Sequence, residues 1–185
     1  MPPPASQPVS RRAKDRSPWR KPWVRNSRKI PQAPEGRKNM SHTYTNLLTH
    51  VIFSTKDREP LVTGALRDDL LAYMGGIVRE IGDALRAADA RPDHVHLLCS
   101  LPPTVAISDA LRLVKTNSSR WVHRERRLAG LTGYGAFSVS HSLAPAVTRY
   151  IGDQEKHHRR MTFQEELIAF LKKNGIPYDE RYIWS

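Results

Sequence analysis

The stretch PDHVHLL (residues 92–98) predicts a β-strand entered through a Pro-Asp turn. Successive side chains of a strand point to opposite faces, so His94 and His96 share one face while Val95 and Leu97 share the other. The Cβ atoms of such a pair lie roughly 7 Å apart, which lets both imidazoles reach one ion. Two histidines alone are more often the polar face of a strand than a metal site, so the pair needs further ligands.

Strand and helix patterns alternate on both sides of this stretch, from Met40 onward. The first predicted strand ends in the β-rich run 51–55, and the other strands are predicted over 85–90, 95–101 and 133–140. Helices are predicted over 62–81, 106–126, 143–160 and 163–173, the last with Thr162 as its N-cap. The inner face of the second helix is predicted to contain Ile107, Leu111, Val114 and Trp121. The order β-α-β-β-α-β predicts an α+β fold, a ferredoxin-like sandwich with an antiparallel sheet and appended C-terminal helices.

Length and composition exclude several classes of protein. The 185 residues suffice for one domain with a hydrophobic core. Cys99 is the single cysteine, so no intrachain disulfide can form and a reducing cytoplasm fits best. No run of about 18 apolar residues is present, so neither a membrane span nor a secretory signal is predicted.

The positive charge is concentrated in the first 39 residues. This segment holds eleven of the 30 Lys and Arg residues, two of the 18 acidic residues and eight of the 14 prolines. It therefore carries +9 of the formal net charge of +12, and residues 40–185 carry only +3. We expect residues 1–39 to be a disordered basic extension, either an arm that binds phosphates or a segment without a role if the chain starts at Met40.

A second candidate for chemistry is Tyr150 with Gln154. Residues four apart lie on one face of a helix, so both side chains can point into one site. A tyrosine hydroxyl, with a free pKa of about 10, is a weak nucleophile unless a divalent cation polarises the phosphate that it attacks. Gln154 can supply an amide oxygen as third ligand beside His94 and His96, a set that suits Mg²⁺ or Mn²⁺. A tyrosine that only packs through its ring is the alternative.

Several other residues are further candidates whose roles the sequence leaves open or assigns to packing. His157 and His158 are either further ligands, DNA contacts or the solvated end of a helix. A run of basic residues on the second helix either follows a DNA backbone or is a solvated face; its members include Arg112, Lys115, Arg120 and Arg124. Tyr134 is a rival nucleophile, but it lies on a predicted strand without a ligand partner, so core packing is expected. Cys99 is expected in the core.

Several long strings carry a resemblance to a known family. DHVHLL followed by a helix with Tyr-x-x-x-Gln resembles the HUH single-tyrosine transposases of the insertion-sequence-200-like type. Closer similarity is to the REP-associated tyrosine transposases, and it covers residues 40–185. The strings that carry it are SHTYTNLLTHVIFSTK (41–56), SLPPT (100–104), GYGAFSVS (133–140), RYIGDQEKHH (149–158) and GIPYDERYIW (175–184).

The resemblance implies a catalytic domain that cleaves and rejoins single-stranded DNA at hairpin or palindromic repeats. It assigns Tyr150 as the nucleophile that forms a 5′-phosphotyrosine, and His94, His96 and Gln154 as ligands of Mg²⁺ or Mn²⁺. The implied partners are single-stranded and hairpin DNA. Insertion-sequence relatives work as homodimers, and whether this chain also forms a homodimer stays open. The implied setting is the bacterial cytoplasm, at the nucleoid.

Three alternatives compete with this interpretation. A histidine-triad nucleotide hydrolase needs a third histidine where this chain has Leu98, so that class is disfavoured. A noncatalytic nucleic-acid binder is the second, because ferredoxin-like sheets also form RNA platforms. A catalytically inactive, domesticated protein that only binds hairpin DNA is the third, and it stays open.

Overall fold

The computed structural model describes residues 44–82, 84–126 and 131–184, and the predicted basic extension over 1–39 lies outside them. The four strands are β1 (Leu48–Thr55), β2 (Ala84–Arg91), β3 (His94–Ser100) and β4 (Leu131–Val139). The helices are α1 (Ala65–Glu80), α2 (Ile107–Arg126), α3 (Ala144–Gly152), α4 (Gln154–His157) and α5 (Phe163–Lys173). None of the helices in this part of the chain is long and apolar enough to cross a membrane.

The strands form one sheet in the order β2-β3-β1-β4, and every neighbouring pair is antiparallel. The two strands that lie next to each other at the centre, β1 and β3, are buried over almost their whole length. This arrangement confirms the predicted α+β sandwich with additional C-terminal helices. It also sets the register that matters for the site, with Ile52 opposite His96 and Ser54 opposite His94.

One face of the sheet packs against α1 and α2 through the main hydrophobic core. Val95, Leu97 and Cys99 of β3 belong to this core, as strand alternation predicts. The predicted inner face of α2 is wrong at one residue, because Ile107 is 45% exposed. Ile107 begins the helix, and the buried face starts one turn later with Ala110 and Leu111.

The opposite face of the sheet is covered by α3 and α5. Two smaller apolar clusters lie there, one around Leu98 and Ile151 and the other around Ile52, Phe137 and Phe163. These clusters hold the C-terminal helices against the face of β3 that carries the histidines. The side chains between the two clusters are therefore removed from bulk water.

The prediction of one continuous helix over 143–160 is wrong. The structure has a 3₁₀ turn at His141–Leu143, then α3, then the single turn α4, with a break at Asp153 (φ −98°, ψ 16°). Glycine and aspartate have low helix propensity, so little stability is lost by breaking the helix at Gly152-Asp153. Gln154 follows the break and is fully buried.

Helix α5 agrees with its predicted bounds. Thr162 accepts a hydrogen bond from the Glu165 amide, and the Glu165 side chain bonds back to the Thr162 amide, which is a complete capping box. Gly175 adopts a positive φ of 63° just beyond the helix, a conformation that glycine tolerates and that ends the helix. These local signals fix where α5 begins and ends, and the apolar cluster around Ile52, Phe137 and Phe163 holds it against the sheet.

Candidate active site

His94 and His96 lie side by side on the sheet face that α3 and α5 cover. Their exposed fractions are 1% and 0%, so both imidazoles are buried. The His94 ring stacks on Phe163 of α5 with 4.4 Å between centroids, and the His96 ring lies 6.2 Å from the ring of Tyr150 on α3. The two rings approach each other edge to face at 5.0 Å.

The Nδ1 atom of each histidine is engaged by a neighbour. Asp93 Oδ1 lies 2.7 Å from His94 Nδ1, and His50 Nε2 lies 3.0 Å from His96 Nδ1. In both histidines Nε2 is buried and has no hydrogen-bond partner. A partner at Nδ1 orients the ring, as it does in metal-ligating histidines, and leaves the Nε2 lone pair for an ion.

Glu166 of α5 reaches into the same space, and sequence reasoning did not select it. Its side chain is 2% exposed, and its Oε2 lies 3.5 Å from His96 Nε2 and 3.3 Å from His158 Nε2. His158 follows α4 and contacts the His94 ring, with 4.5 Å between centroids. His94, His96, His158 and Glu166 each offer a ligand atom, and all four atoms lie within 4.8 Å of one another.

Gln154 completes the group from the start of α4. Its Nε2 donates to Glu166 Oε1 at 3.3 Å, while its buried Oε1 has no hydrogen-bond partner. Buried polar atoms are normally paired, because an unpaired one costs about 1–3 kcal/mol. Five such atoms are unpaired in this one group, namely His94 Nε2, His96 Nε2, Gln154 Oε1, His158 Nε2 and Glu166 Oε2.

The donor set fits a divalent cation. His94, His96, His158 and Glu166 each offer an atom within 4.8 Å of the others, and a cation would satisfy the unpaired buried atoms of these residues. Burial lowers the pKa of His96, which keeps its imidazole in the neutral form that binds metals. Three imidazoles with one carboxylate and one amide oxygen suit Mn²⁺ better than Mg²⁺, which prefers oxygen ligands.

Tyr150 of α3 lies at the edge of this group and is half-buried. Its hydroxyl donates a short hydrogen bond to Glu166 Oε1 and lies 3.4 Å from His157 Nε2. Burial raises the pKa of Tyr150, and the hydrogen bond to the carboxylate raises it further. Without a nearby positive charge, the hydroxyl is therefore protonated at neutral pH.

Glu166 is ionised in this setting. Burial alone would raise its pKa, but the His96 imidazole and the Tyr150 hydroxyl outweigh burial and lower the pKa of Glu166 to about 2. The carboxylate thus holds Tyr150 with one oxygen and faces the histidines with the other. It is the physical link between the tyrosine and the candidate metal centre.

The structure brings together some of the predicted residues and separates others. His94, His96, Tyr150, Gln154, His157 and His158 meet on one sheet face, so His157 and His158 are not simply a solvated helix end. The basic residues Arg112, Lys115, Arg120 and Arg124 belong to α2, on the opposite side of the sheet. Arg112 pairs there with Asp109 at 3.3 Å.

Tyr134 does not reach the site, and its predicted core packing is wrong. Its side chain is 48% exposed and meets the ring of Phe53, which faces the α1–α2 core. Tyr150 is therefore the tyrosine that shares a space with the histidines.

The signal for Glu166 is present in the sequence. Phe163, Leu167 and Phe170 repeat at helical spacing and form the inner face of α5. Glu166 falls on that same face, one residue after the Glu165 of the capping box. A carboxylate on an apolar helix face is costly unless it is paired, so this position indicates a buried partner.

Comparison of the chain with known protein families identifies the family to which it belongs. The family model described as Transposase IS200 like matches residues 43–154, more than half of the chain. The chain belongs to the IS200-like transposases. The family that the motifs predicted is thereby confirmed. The match includes His94, His96, Tyr150 and Gln154 and ends before His158 and Glu166.

Two curated IS200-like relatives match part of the chain. The ISDra2 transposase TnpA of Deinococcus radiodurans is 33% identical over 86 residues, which is 46% of this chain and 61% of that protein. The transposase for insertion sequence element IS200 of Salmonella typhimurium is 26% identical over 92 residues, 48% of this chain and 58% of that protein. The chain thus spans about three fifths of the length of these relatives.

Two solved structures are similar to this IS200-like chain. A crystal structure of a putative transposase from Deinococcus radiodurans aligns with a TM-score of 0.51 and 25% identity, over 63% of this chain and 96% of that one. A REP-associated tyrosine transposase bound to a REP hairpin aligns with a TM-score of 0.49 and 16% identity, over 64% of this chain and 74% of that one.

Proposed function

We propose that this IS200-like transposase cleaves and rejoins single-stranded DNA through a covalent bond to Tyr150. The observation that carries the proposal is the shared contact of Glu166, which binds the Tyr150 hydroxyl with one oxygen and faces the histidine cluster with the other. Phosphoryl transfer to tyrosine needs the nucleophile close to a cation that polarises the phosphate, and Glu166 brings the tyrosine and the candidate cation-binding group together.

His94, His96 and Gln154 would hold a divalent cation, together with His158, which the sequence left open as a ligand, and Glu166, which was not among the sequence candidates. The unpaired atoms of all five residues support this set. When bound, the cation supplies positive charge that polarises the target phosphate and opposes the factors that raise the pKa of Tyr150. Asp93 orients His94 and His50 orients His96, each through a hydrogen bond at the Nδ1 atom of the ligand histidine.

The proposed reaction conserves the energy of the phosphodiester bond. In cleavage, the Tyr150 oxygen bonds to phosphorus while the bond from phosphorus to the 3′ oxygen of the neighbouring nucleotide breaks. The phenol loses its proton and the departing 3′ oxygen gains one, which leaves a 5′-phosphotyrosine and a free 3′-hydroxyl. In rejoining, a 3′-hydroxyl attacks the phosphotyrosine and the tyrosine is released, so no ATP is needed.

Hairpin DNA is the substrate that we propose, on the strength of the sequence strings shared with REP-associated tyrosine transposases. The decisive experiment incubates the full chain and Mn²⁺ with single-stranded hairpins from the flanks of its own gene. We expect a protein–DNA adduct that survives denaturation and whose DNA is attached by its 5′ end. Binding without an adduct would favour the inactive hairpin-binding protein.

His50 provides a prediction about the support of the metal centre. Replacing His50 with phenylalanine removes the partner of His96 Nδ1 at a fully buried position. We expect the affinity for Mn²⁺, measured by calorimetry, to fall about 10–100-fold. His50→Gln keeps a hydrogen-bond acceptor and should restore much of it, while His141→Phe, at an exposed turn, should have no effect. Equal losses in both His50 variants would mean that His50 acts only through packing.

The basic extension provides a second prediction, because residues 1–39 carry most of the net charge. A chain that starts at Met40 should fold and form the adduct, and its DNA affinity should depend less steeply on salt. Fewer neutralised phosphates release fewer counterions, so the slope of log affinity against log salt becomes smaller. Titrations over a series of NaCl concentrations measure the slope. Loss of folding on truncation would show that the extension is structural.

A further inference from the structure

Tyr150 separates two cavities of opposite character. One has a volume of about 370 Å³ and lies between α3 and α5, with mostly apolar walls that include Ala146, Val147, Ala169 and Phe170. The other has a volume of about 580 Å³ and is polar. Tyr150 and His157 line both, so the Tyr150 side chain borders each of the two cavities.

The polar cavity is a basic cleft. Lys156, Arg159 and Arg160 line it, with Asp153 as its one carboxylate. Lys156 pairs with Asp153 at 3.0 Å on the exposed surface, a contact that is weak in water and easily exchanged for a phosphate. The charge of this cleft is complementary to a DNA backbone that passes the Tyr150 hydroxyl.

The apolar cavity suits a different part of the nucleic acid from the basic cleft. A phosphate or a sugar has no reason to enter a space walled by alanine, valine and phenylalanine side chains, whereas an unpaired nucleobase is flat and largely apolar on its faces. The rings of Phe170 and Tyr150 pack edge to face with 5.9 Å between their centroids, and both border the cavity, which gives a base an aromatic surface to contact. Lys173 also lines the cavity and adds a positive charge toward the nucleic acid.

We propose that the apolar cavity between α3 and α5 holds one unpaired base of the DNA strand whose phosphate lies at Tyr150. The proposal rests on the proposed function, because it takes the strand to be the substrate of Tyr150. A base inside a duplex is paired and stacked, and extruding it has a cost, so the cavity selects for single-stranded DNA. The phosphate is then held from two sides, by the basic cleft and by the anchored base.

The test compares two labelled 20-nucleotide strands of equal charge, oligothymidylate and a strand of abasic units, titrated into the full chain by fluorescence anisotropy. EDTA is present so that no strand is cut. Phosphate contacts, including those of residues 1–39, affect both strands alike, so the ratio of their dissociation constants isolates the bases. We expect oligothymidylate to bind about tenfold more tightly, as base stacking on aromatic side chains predicts.

Filling the cavity should remove this difference. Ala146 and Ala169 are exposed and line the cavity, so Ala146→Leu fills part of it without disturbing the core, and Ala146→Leu/Ala169→Leu fills more. We expect the ratio to fall about threefold in the single variant and to near one in the double. Thr148→Leu is the matched control, because Thr148 is exposed on α3 and lines neither cavity. Its ratio should equal that of the wild type.

Three results would overturn the proposal. One is a ratio near one in the wild type, and another is a ratio unchanged by the double variant or lowered equally by Thr148→Leu. The third is a wild-type chain that self-associates, with the double variant monomeric and its ratio unchanged, which would assign the cavity to a second copy. The hairpin adduct assay reports separately on the proposed function: an adduct without base dependence contradicts only the cavity, and base dependence without an adduct contradicts only the chemistry.

Discussion

A Tyr150→Phe chain should bind hairpin DNA and form no covalent adduct with it. The substitution removes one oxygen and keeps the ring that packs against His50, His96 and Phe170. Glu166 Oε1 loses one hydrogen bond but keeps the one that Gln154 donates, so no new unpaired buried atom results. The fold should therefore survive while cleavage falls by roughly 10³-fold or more, since nothing replaces the nucleophile.

The measurement is a denaturing gel with labelled hairpin DNA, together with a binding titration of the same DNA. Tyr134→Phe is the control, because the Tyr134 side chain lies against Phe53 on the α1–α2 side of the sheet, away from the site. It should form the adduct at the wild-type rate. An adduct in the Tyr150 variant and none in the Tyr134 variant would mean that the nucleophile has been misassigned.

The second large effect concerns the metal centre. His94→Ala/His96→Ala removes two of the five unpaired donor atoms. We expect Mn²⁺ binding and adduct formation to be lost, as they should be for the wild type in EDTA. Mn²⁺ should also stabilise the wild type against unfolding, by about 2.7 kcal/mol when the free metal is 100 times its dissociation constant. Thermal melts with and without Mn²⁺ should show this stabilisation in the wild type and not in the double variant.

Glu166→Gln tests whether the carboxylate belongs to the metal centre. The substitution keeps the shape of the side chain and removes its charge, so the packing of α5 is preserved. If Glu166 is a ligand, Mn²⁺ affinity should fall about 10–100-fold. Full cleavage by the histidine double variant would falsify the metal assignment, whereas unchanged Mn²⁺ affinity in Glu166→Gln would leave Gln154 as the oxygen ligand.

The local patterns of the chain account for most of the fold. Alternation along DHVHLL places two histidines on one face of β3, and the capping box at Thr162 and the glycine at 175 bound α5. These are short-range signals, because strand alternation, caps and positive φ depend on residues a few positions apart. The prediction of one helix over 143–160 is wrong because it uses only short-range signals. The apolar spacing is helical throughout, and the break at Asp153 becomes favourable only where Gln154 is buried.

The sequence by itself determined the family, the strand order along the chain and the candidates His94, His96, Tyr150 and Gln154. Only the tertiary structure decided that His158 and Glu166 join them, that the α2 arginines lie across the sheet, and that Tyr134 is remote. Glu166 is 70 residues beyond His96 along the chain, and nothing local to either residue encodes their approach. Packing of α5 on the sheet through Phe163 and Ile52 brings them together, because burying those apolar side chains fixes where the carboxylate must lie.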